Sequence, residues 1–580
     1  MKETYSAWNP GLESEIPAVY RSLETIHRPE NVTSLMTDID EIAQQTGLNA
    51  QELVVFRPER LALHELVIRV TADIVVLEGS DEIELGRNFR HIAGAILNRY
   101  IQPHMAELKQ DYEQLREAVY ARIDREMREL LFYPQRPELP KRRFFPFLPR
   151  RVKRTPSTAR ETISEREHRA ISILKEKGVA AKDPLSSAIY RNLHHVLAVI
   201  VGNRGYLGPD RAFLVTLACN RVCNSYGSRL LGEKIAPLVE LAIEKEGYTR
   251  ITHTDSPLLI SLKGASAAGK SSLRPMLKQM MSEYGIQSGG YAIISPDIWR
   301  RLLLDYDALV EAYKYAGRLT SHELIIIDRK LDHYIRDQAD RLGALPHLLV
   351  DRFRFDSFST EQITKILHAT YVKHVNTLAM YFVVTPPHTT VERGWERGLQ
   401  TGRYKAVEDF LDHSVEAYVG MPKILFKWLA YDFPLFKYEF LDNSVPKGTF
   451  PKRTAFGTQS ELNILDCSVF INIERYQKIN IRARRPDDVY PPASVMSVEN
   501  NIGFLKQCIK KIPKVNFIDR ATGTAYLTTQ NGVFTIVERR ILAEKLLDAE
   551  WARIFAGLAP HLAANRLHSA EAEPASKDYR

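Results

Sequence analysis

The chain has 580 residues, of which 44% are hydrophobic, 26% charged and 9% aromatic. That length holds three or four domains with their own cores, and the composition excludes a disordered or fibrous protein. Four cysteines are too few for a disulfide-stapled scaffold, and no apolar run approaches the 18 uncharged residues of a membrane-spanning helix. The opening residues, MKETYSAWNPGLESEIP, lack the basic-then-apolar layout of a secretory signal, so a cytoplasmic protein is expected.

Residues 1–140 read as a helical bundle. DEIELGRNFRHIAGAILNRYI (81–101) spaces its apolar residues three and four apart, and MAELKQDYEQLREAVYARIDREMRELLF (105–132) is a long charged amphipathic run. The next segment, 141–160, holds eight Lys or Arg and no acid. The remaining 71 basic residues balance 71 acidic ones, so the whole net charge of +8 sits there. Three prolines and interleaved phenylalanines make it a linker between domains, or a strip that lies on an anionic membrane or grips a nucleic-acid backbone. A second helical region is expected over 161–250. There Cys219 and Cys223 read as buried thiols rather than as a metal pair.

From about residue 255 short apolar runs alternate with helical patterns: PLLISLKG, YAIISPD, HLLVDRF, LAMYFVVTPP and FKYEFLDNS. Such alternation predicts a parallel sheet flanked by helices over 255–450, an α/β core. Residues 451–565 read as a small α+β region with strand candidates SVFINIERY and GTAYLTTQNGVFTIVERR. Asn531-Gly532 in the second is a hairpin signal. The tail 566–580 reads as disordered.

The chemistry concentrates in LISLKGASAAGKSSLRP (259–275), which contains G-x-x-x-x-G-K-S. Between a strand and a helix, this pattern cradles phosphates: backbone N–H groups of residues 265 to 271 (Ala265, Ser266, Ala267, Ala268, Gly269, Lys270 and Ser271) line an anion nest flanked by the nucleotide-binding candidates Gly264 and Ser272, Lys270 reaches the β- and γ-phosphates, and Ser271 holds Mg²⁺. Pro275 is expected to kink the following helix. Downstream, Asp297 stands at the end of the second strand, where a carboxylate accepts a hydroxyl proton or merely caps the next helix; Arg300, one turn on, suits an anionic acceptor. Asp351 ends the third strand as a candidate acid in the outer shell of the magnesium, with Arg352 and Arg354 as acceptor contacts. The stretch TPPHTTVERGWERGLQTGRY has a Thr389–Glu392 capping-box pattern and then Arg393, Arg397 and Arg403, a clamp for phosphates. Asp442-Asn443-Ser444 leaves the last strand of the core, where purines are contacted.

With the Walker-type loop, Asp297 in a D-x-x-R setting, Pro386, Pro387, Arg393 and Arg397 after the fourth strand, Gly402-Arg403 and the terminal Asp-Asn-Ser, residues 255–450 resemble the zeta-toxin family of P-loop kinases. The resemblance implies ATP- and Mg²⁺-dependent phosphorylation of a hydroxyl on a small metabolite, with nucleotide sugars and a nicotinamide dinucleotide as acceptor classes. It makes Lys270 and Ser271 the phosphate and magnesium binders, Asp297 the general base, and Arg393, Arg397 and Arg403 the transition-state clamp. The long stretch between Asp297 and the third strand is an insertion whose Glu323 and Asp328 are candidate acceptor contacts. The helical N-terminal half is read as an inhibitory partner in cis, or as a dock for one in trans. The rival reading is a membrane- or nucleic-acid-associated NTPase anchored through 141–160.

Overall fold

The computed structural model describes residues 5–79, 81–132, 161–287, 289–351, 373–446 and 448–560. The basic segment 141–160, Arg352, Arg354 and the tail 566–580 lie outside the described residues. The chain divides into two compact units, one of Arg21–Val67 and Ala93–Gly247, the other of Met1–Tyr20, Ile68–Ile92 and Tyr248–Arg580.

The first unit is helical where it is described. Its helices begin where the sequence supplies caps: Thr162 and Glu165 form a reciprocal capping box before Ile163–Ala180, Asp183 caps Pro184–Arg204, and Asp210 accepts from the amide of Phe213 ahead of Arg211–Val222. In Pro184–Arg204 the buried residues Ile189, Leu193, Val196, Leu197 and Ile200 recur at helical spacing, so one face supplies core. Cys219 and Cys223, four apart, are both buried with their sulfurs 3.9 Å from each other.

The second unit is built on one ten-stranded sheet. Its strands are β1 (Leu258–Gly264), β2 (Tyr291–Ile294), β3 (His347–Val350), β4 (Thr377–Val384), β5 (Leu435–Asp442), β6 (Lys452–Thr458), β7 (Glu461–Ile464), β8 (Lys514–Ile518), β9 (Ala525–Gln530) and β10 (Val533–Ile536). The spatial order is β10-β9-β8-β7-β6-β5-β4-β1-β3-β2. The run β2-β3-β1-β4-β5 is parallel throughout, and β6 turns antiparallel onto β5. Every residue of β1 is buried, as a strand covered on both faces requires. β1 lies between β3 and β4, the point where strand order reverses and a cleft opens beyond the strand ends.

Strands β6 to β10, from the region read as a separate α+β unit, therefore extend the same sheet, and their hairpin has the expected turn: Asn531 (φ 50°) and Gly532 (φ 81°) join β9 to β10. SVFINIERY is a helix, Ser468–Arg475, not a strand. Asp466 accepts from the amide and hydroxyl of Ser468, starting a helical turn, and Phe470 packs on Phe440 and Phe504, so tertiary burial overrides β-branched composition.

Residues 68–92, read from sequence as part of the helical bundle, belong to the sheet unit. The amide of Val75 donates to Thr249 and that of Ile251 to Asp73, and the Tyr334 hydroxyl donates to the Asp73 carboxylate. Burial lifts Asp73 to about 6. A raised carboxyl pKa favours the folded state below its unfolded value near 4, and that contribution is lost as pH rises through about 6. The expected result is a melting temperature that falls by the equivalent of about 1–3 kcal/mol between those pH values. Asp73→Asn should flatten that slope; an unchanged pH profile in the variant would show that Asp73 does not set it.

Candidate functional site

β1 delivers the chain into a tight loop. Gly264 sits so close to β4 that a Cβ there would lie 3.0 Å from the carbonyl oxygen of Val383. Ala267 (φ 58°) and Gly269 (φ 87°) take left-handed backbone conformations, and a Cβ on Gly269 would meet the Asn443 amide nitrogen at 2.2 Å. Glycine is thus required at 269 twice over, by torsion and by space. The loop is held from below by two side chains that share one acceptor: Asn443 Nδ2 and Thr385 Oγ1 donate to the carbonyl of Ala268 at 2.7 and 2.9 Å. A single turn, Lys270–Leu273, then leads into the helix Arg274–Glu283. Because that helix begins at Arg274, Pro275 falls in its first turn, where no intrahelical donor is lost and no kink is required.

The Lys270 ammonium lies back on its own loop, donating to the carbonyls of Gly264 and Ala265 at 3.1 Å each, and burial lowers its pKa. The Ser271 hydroxyl donates to Glu82 at 2.9 Å, a contact with no local signal in the sequence. Ser266 is buried, whereas Ser272 is exposed and bonds by its amide to Gly269.

Asp297 is not a helix cap: the turn Pro296–Trp299 starts without a side-chain cap. Its oxygens are taken instead by Arg300 Nε at 2.8 Å and Arg403 at 2.5 Å. Burial opposes the charge on Asp297, but the Arg403 and Arg300 guanidiniums outweigh it and hold the carboxyl far below the usual range. Arg403 also reaches Glu82 at 3.5 Å; burial works against its charge, yet Asp297 and Glu82 raise its pKa overall. Arg300 is committed further, to the Gly317 carbonyl and to Thr320 Oγ1 at 2.7 Å, so it anchors Asp297 rather than waiting for an anionic acceptor.

Arg397 differs from its neighbours. Its Nε is buried with no hydrogen-bond partner among the described residues, and burial lowers its pKa to about 10. Asp351 follows β3, its amide bonded to Ile294, and burial raises its carboxyl against the field of Lys270 and Arg274. Among the described residues, no three His, Cys, Asp or Glu form a ready-made metal cage.

Other expected site residues are engaged within the fold. Arg393 donates through one terminal nitrogen to the carbonyls of Asn443 (3.1 Å) and Val445 (2.5 Å), pinning the segment after β5, while its other terminal nitrogen lies beside Gly269 of the loop. Asn443 braces the loop, and Asp442 accepts from the amide and hydroxyl of Ser444 at 2.9 Å. Glu323 is 0% exposed and so presents no carboxylate to an acceptor. The Thr389–Glu392 box is not formed, because the helix Pro387–Thr401 begins before Thr389, at a proline fit for its first position.

Sequence reasoning missed Glu78 and Glu82, which meet Arg274 and Ser271. It also missed Lys405 and His413, hydrogen-bonded partners near Arg397 and Asp297; burial drives both toward their neutral forms. The one readable hint was the acidic run EGSDEIE at 78–84.

No protein-family model and no curated protein matches this chain. Among solved structures it is similar to a chain of the PezAT chromosomal toxin–antitoxin system of Streptococcus pneumoniae, at 16% identity and a TM-score of 0.24, covering 35% of this chain and 75% of that one. It is also similar to a chain of the AvrRxo1-ORF1:-ORF2 complex, at 13% identity and a TM-score of 0.29, covering 46% and 77%. Neither likeness is close enough to carry a fold or a function to this chain. Among the described residues, no helix is long and apolar enough to cross a membrane.

Proposed function

We propose that the second unit is a P-loop phosphotransferase that moves the γ-phosphoryl of ATP to a hydroxyl of a small metabolite, in the manner of zeta-toxin kinases. The observation that carries this is one constellation. A G-x-x-x-x-G-K-S loop leaves the central strand of a parallel β2-β3-β1-β4-β5 sheet, and an aspartate at the end of β2 lies within the electrostatic reach of its lysine. The residues fit the nucleotide: the loop backbone is shaped as an anion nest, and Lys270, Arg397 and Arg403 supply the positive charge that phosphoryl transfer needs. They also fit magnesium, whose hard-oxygen preference would be met by the Ser271 hydroxyl with the Asp351 carboxylate near the loop lysine. When bound, the ion would neutralise phosphate charge.

Within this reading Lys270 binds phosphate, Arg397 is the open cation of the clamp, and Asp297 orients the acceptor hydroxyl. The test is incubation with γ-labelled ATP, magnesium and a panel of nucleotide sugars, dinucleotides and metabolite extract, followed by mass analysis. A phosphorylated small molecule is expected. Hydrolysis without any labelled acceptor would replace the kinase with an NTPase.

A further inference from the structure

Residues 73–79 and 81–82 reach the phosphate loop from far away in the sequence. This segment is tied to the sheet unit at one end by the backbone bonds of Asp73 and Val75 to 249–251. Glu78 pairs with Arg274, both side chains under one-tenth exposed, and accepts the hydroxyl of Tyr291. Glu82 accepts the Ser271 hydroxyl and pairs with Arg403. From Glu78 to Glu84 the sequence holds four acids and no base.

The two carboxylates have different jobs. Glu78 is locked in a buried pair, and removing it would leave a buried guanidinium uncompensated. It acts as a tether. Glu82 instead holds two groups that a metal-bound phosphate chain would need, the loop hydroxyl and a clamp arginine. A phosphate brought to the same place would meet the charge of that carboxylate and compete with it for these donors. Glu82 also lies in the field of Lys270 and Arg397, which electrostatically favours any anion at that place.

We infer that Glu82 is an intrachain stand-in for phosphate, which competes with nucleotide for Ser271 and Arg403 and must withdraw before MgATP binds. The inference rests on the nucleotide reading of the loop. A site open only one-tenth to one-hundredth of the time binds about 10- to 100-fold more weakly than its open form.

The experiment compares the full chain with Glu82→Gln and Glu82→Ala. MgATP affinity is measured by calorimetry or with a fluorescent ATP analogue, and melting curves verify folding. Gln keeps the size and removes the charge, so MgATP binding at least tenfold tighter than wild type supports the inference. Equal affinity overturns it while leaving the nucleotide reading intact. Weaker binding with a raised magnesium requirement also overturns it, and makes Glu82 a holder of the ion. If wild type and both variants are folded but bind no nucleotide, the inference falls together with the reading on which it rests.

Discussion

Lys270→Ala should abolish phosphoryl transfer, lowering turnover about 10³-fold or more, while the melting temperature stays close to that of wild type. The side chain is placed for this outcome. Among the described residues its ammonium hydrogen-bonds to two carbonyls of its own loop, Gly264 and Ala265, so its removal breaks no long-range hydrogen bond there. Burial lowers its pKa against the opposing pull of Asp351, Asp297 and Glu82. A phosphate chain in the loop would add to that pull. Because such transition states leave little covalent work to the protein, a missing positive charge at the γ-phosphate is a direct loss of rate. Isotope-tracked transfer and a melting curve on the same sample check the point. Full activity in the variant would remove the loop from the chemistry.

The parts of this architecture governed by short-range patterns were readable in advance. Strand, loop and helix around 258–283 follow from an apolar run, glycines and a helix-compatible run, and the 531–532 turn from Asn-Gly between alternating strands. Two local errors have local causes. Pro275 read as an interior kink because the helix start was placed a turn too early, and SVFINIERY read as a strand because Val469, Phe470, Ile471 and Ile473 are buried whichever element they form. The larger omissions are of another kind. Glu82 stands 189 residues before Ser271, and nothing near either residue encodes the pairing. Arg393 and Arg397 occupy equivalent places in a motif. Yet one ends on backbone carbonyls after β5 and the other has an Nε without a partner among the described residues, a difference set by what each meets one turn apart along the same helix face. Residue types named the groups that meet around the loop; which of them each arginine contacts needed the fold.

The role of Asp297 follows from those contacts. A carboxylate gripped by two guanidiniums is a weak base, so it is poorly suited to take a proton early in the reaction. In a loose transition state the attacking hydroxyl keeps its proton until late, and an acceptor that only orients it is sufficient. Asp297→Asn should therefore spare ATP binding and lower transfer by about 10² to 10⁴. The wild-type rate should show no acid limb from Asp297 between pH 5 and 8, because its pKa lies far below that window. Arg403→Ala provides the converse. Losing the guanidinium removes one clamp charge, at about 10³-fold in rate, and lifts the Asp297 pKa. Activity of that variant should then fall as pH drops through the raised value, producing an acid limb that wild type lacks and that the double variant with Asp297→Asn loses again. A wild-type limb near pH 6 that disappears in Asp297→Asn would mean that Asp297 titrates freely and that the ion pairs do not hold it.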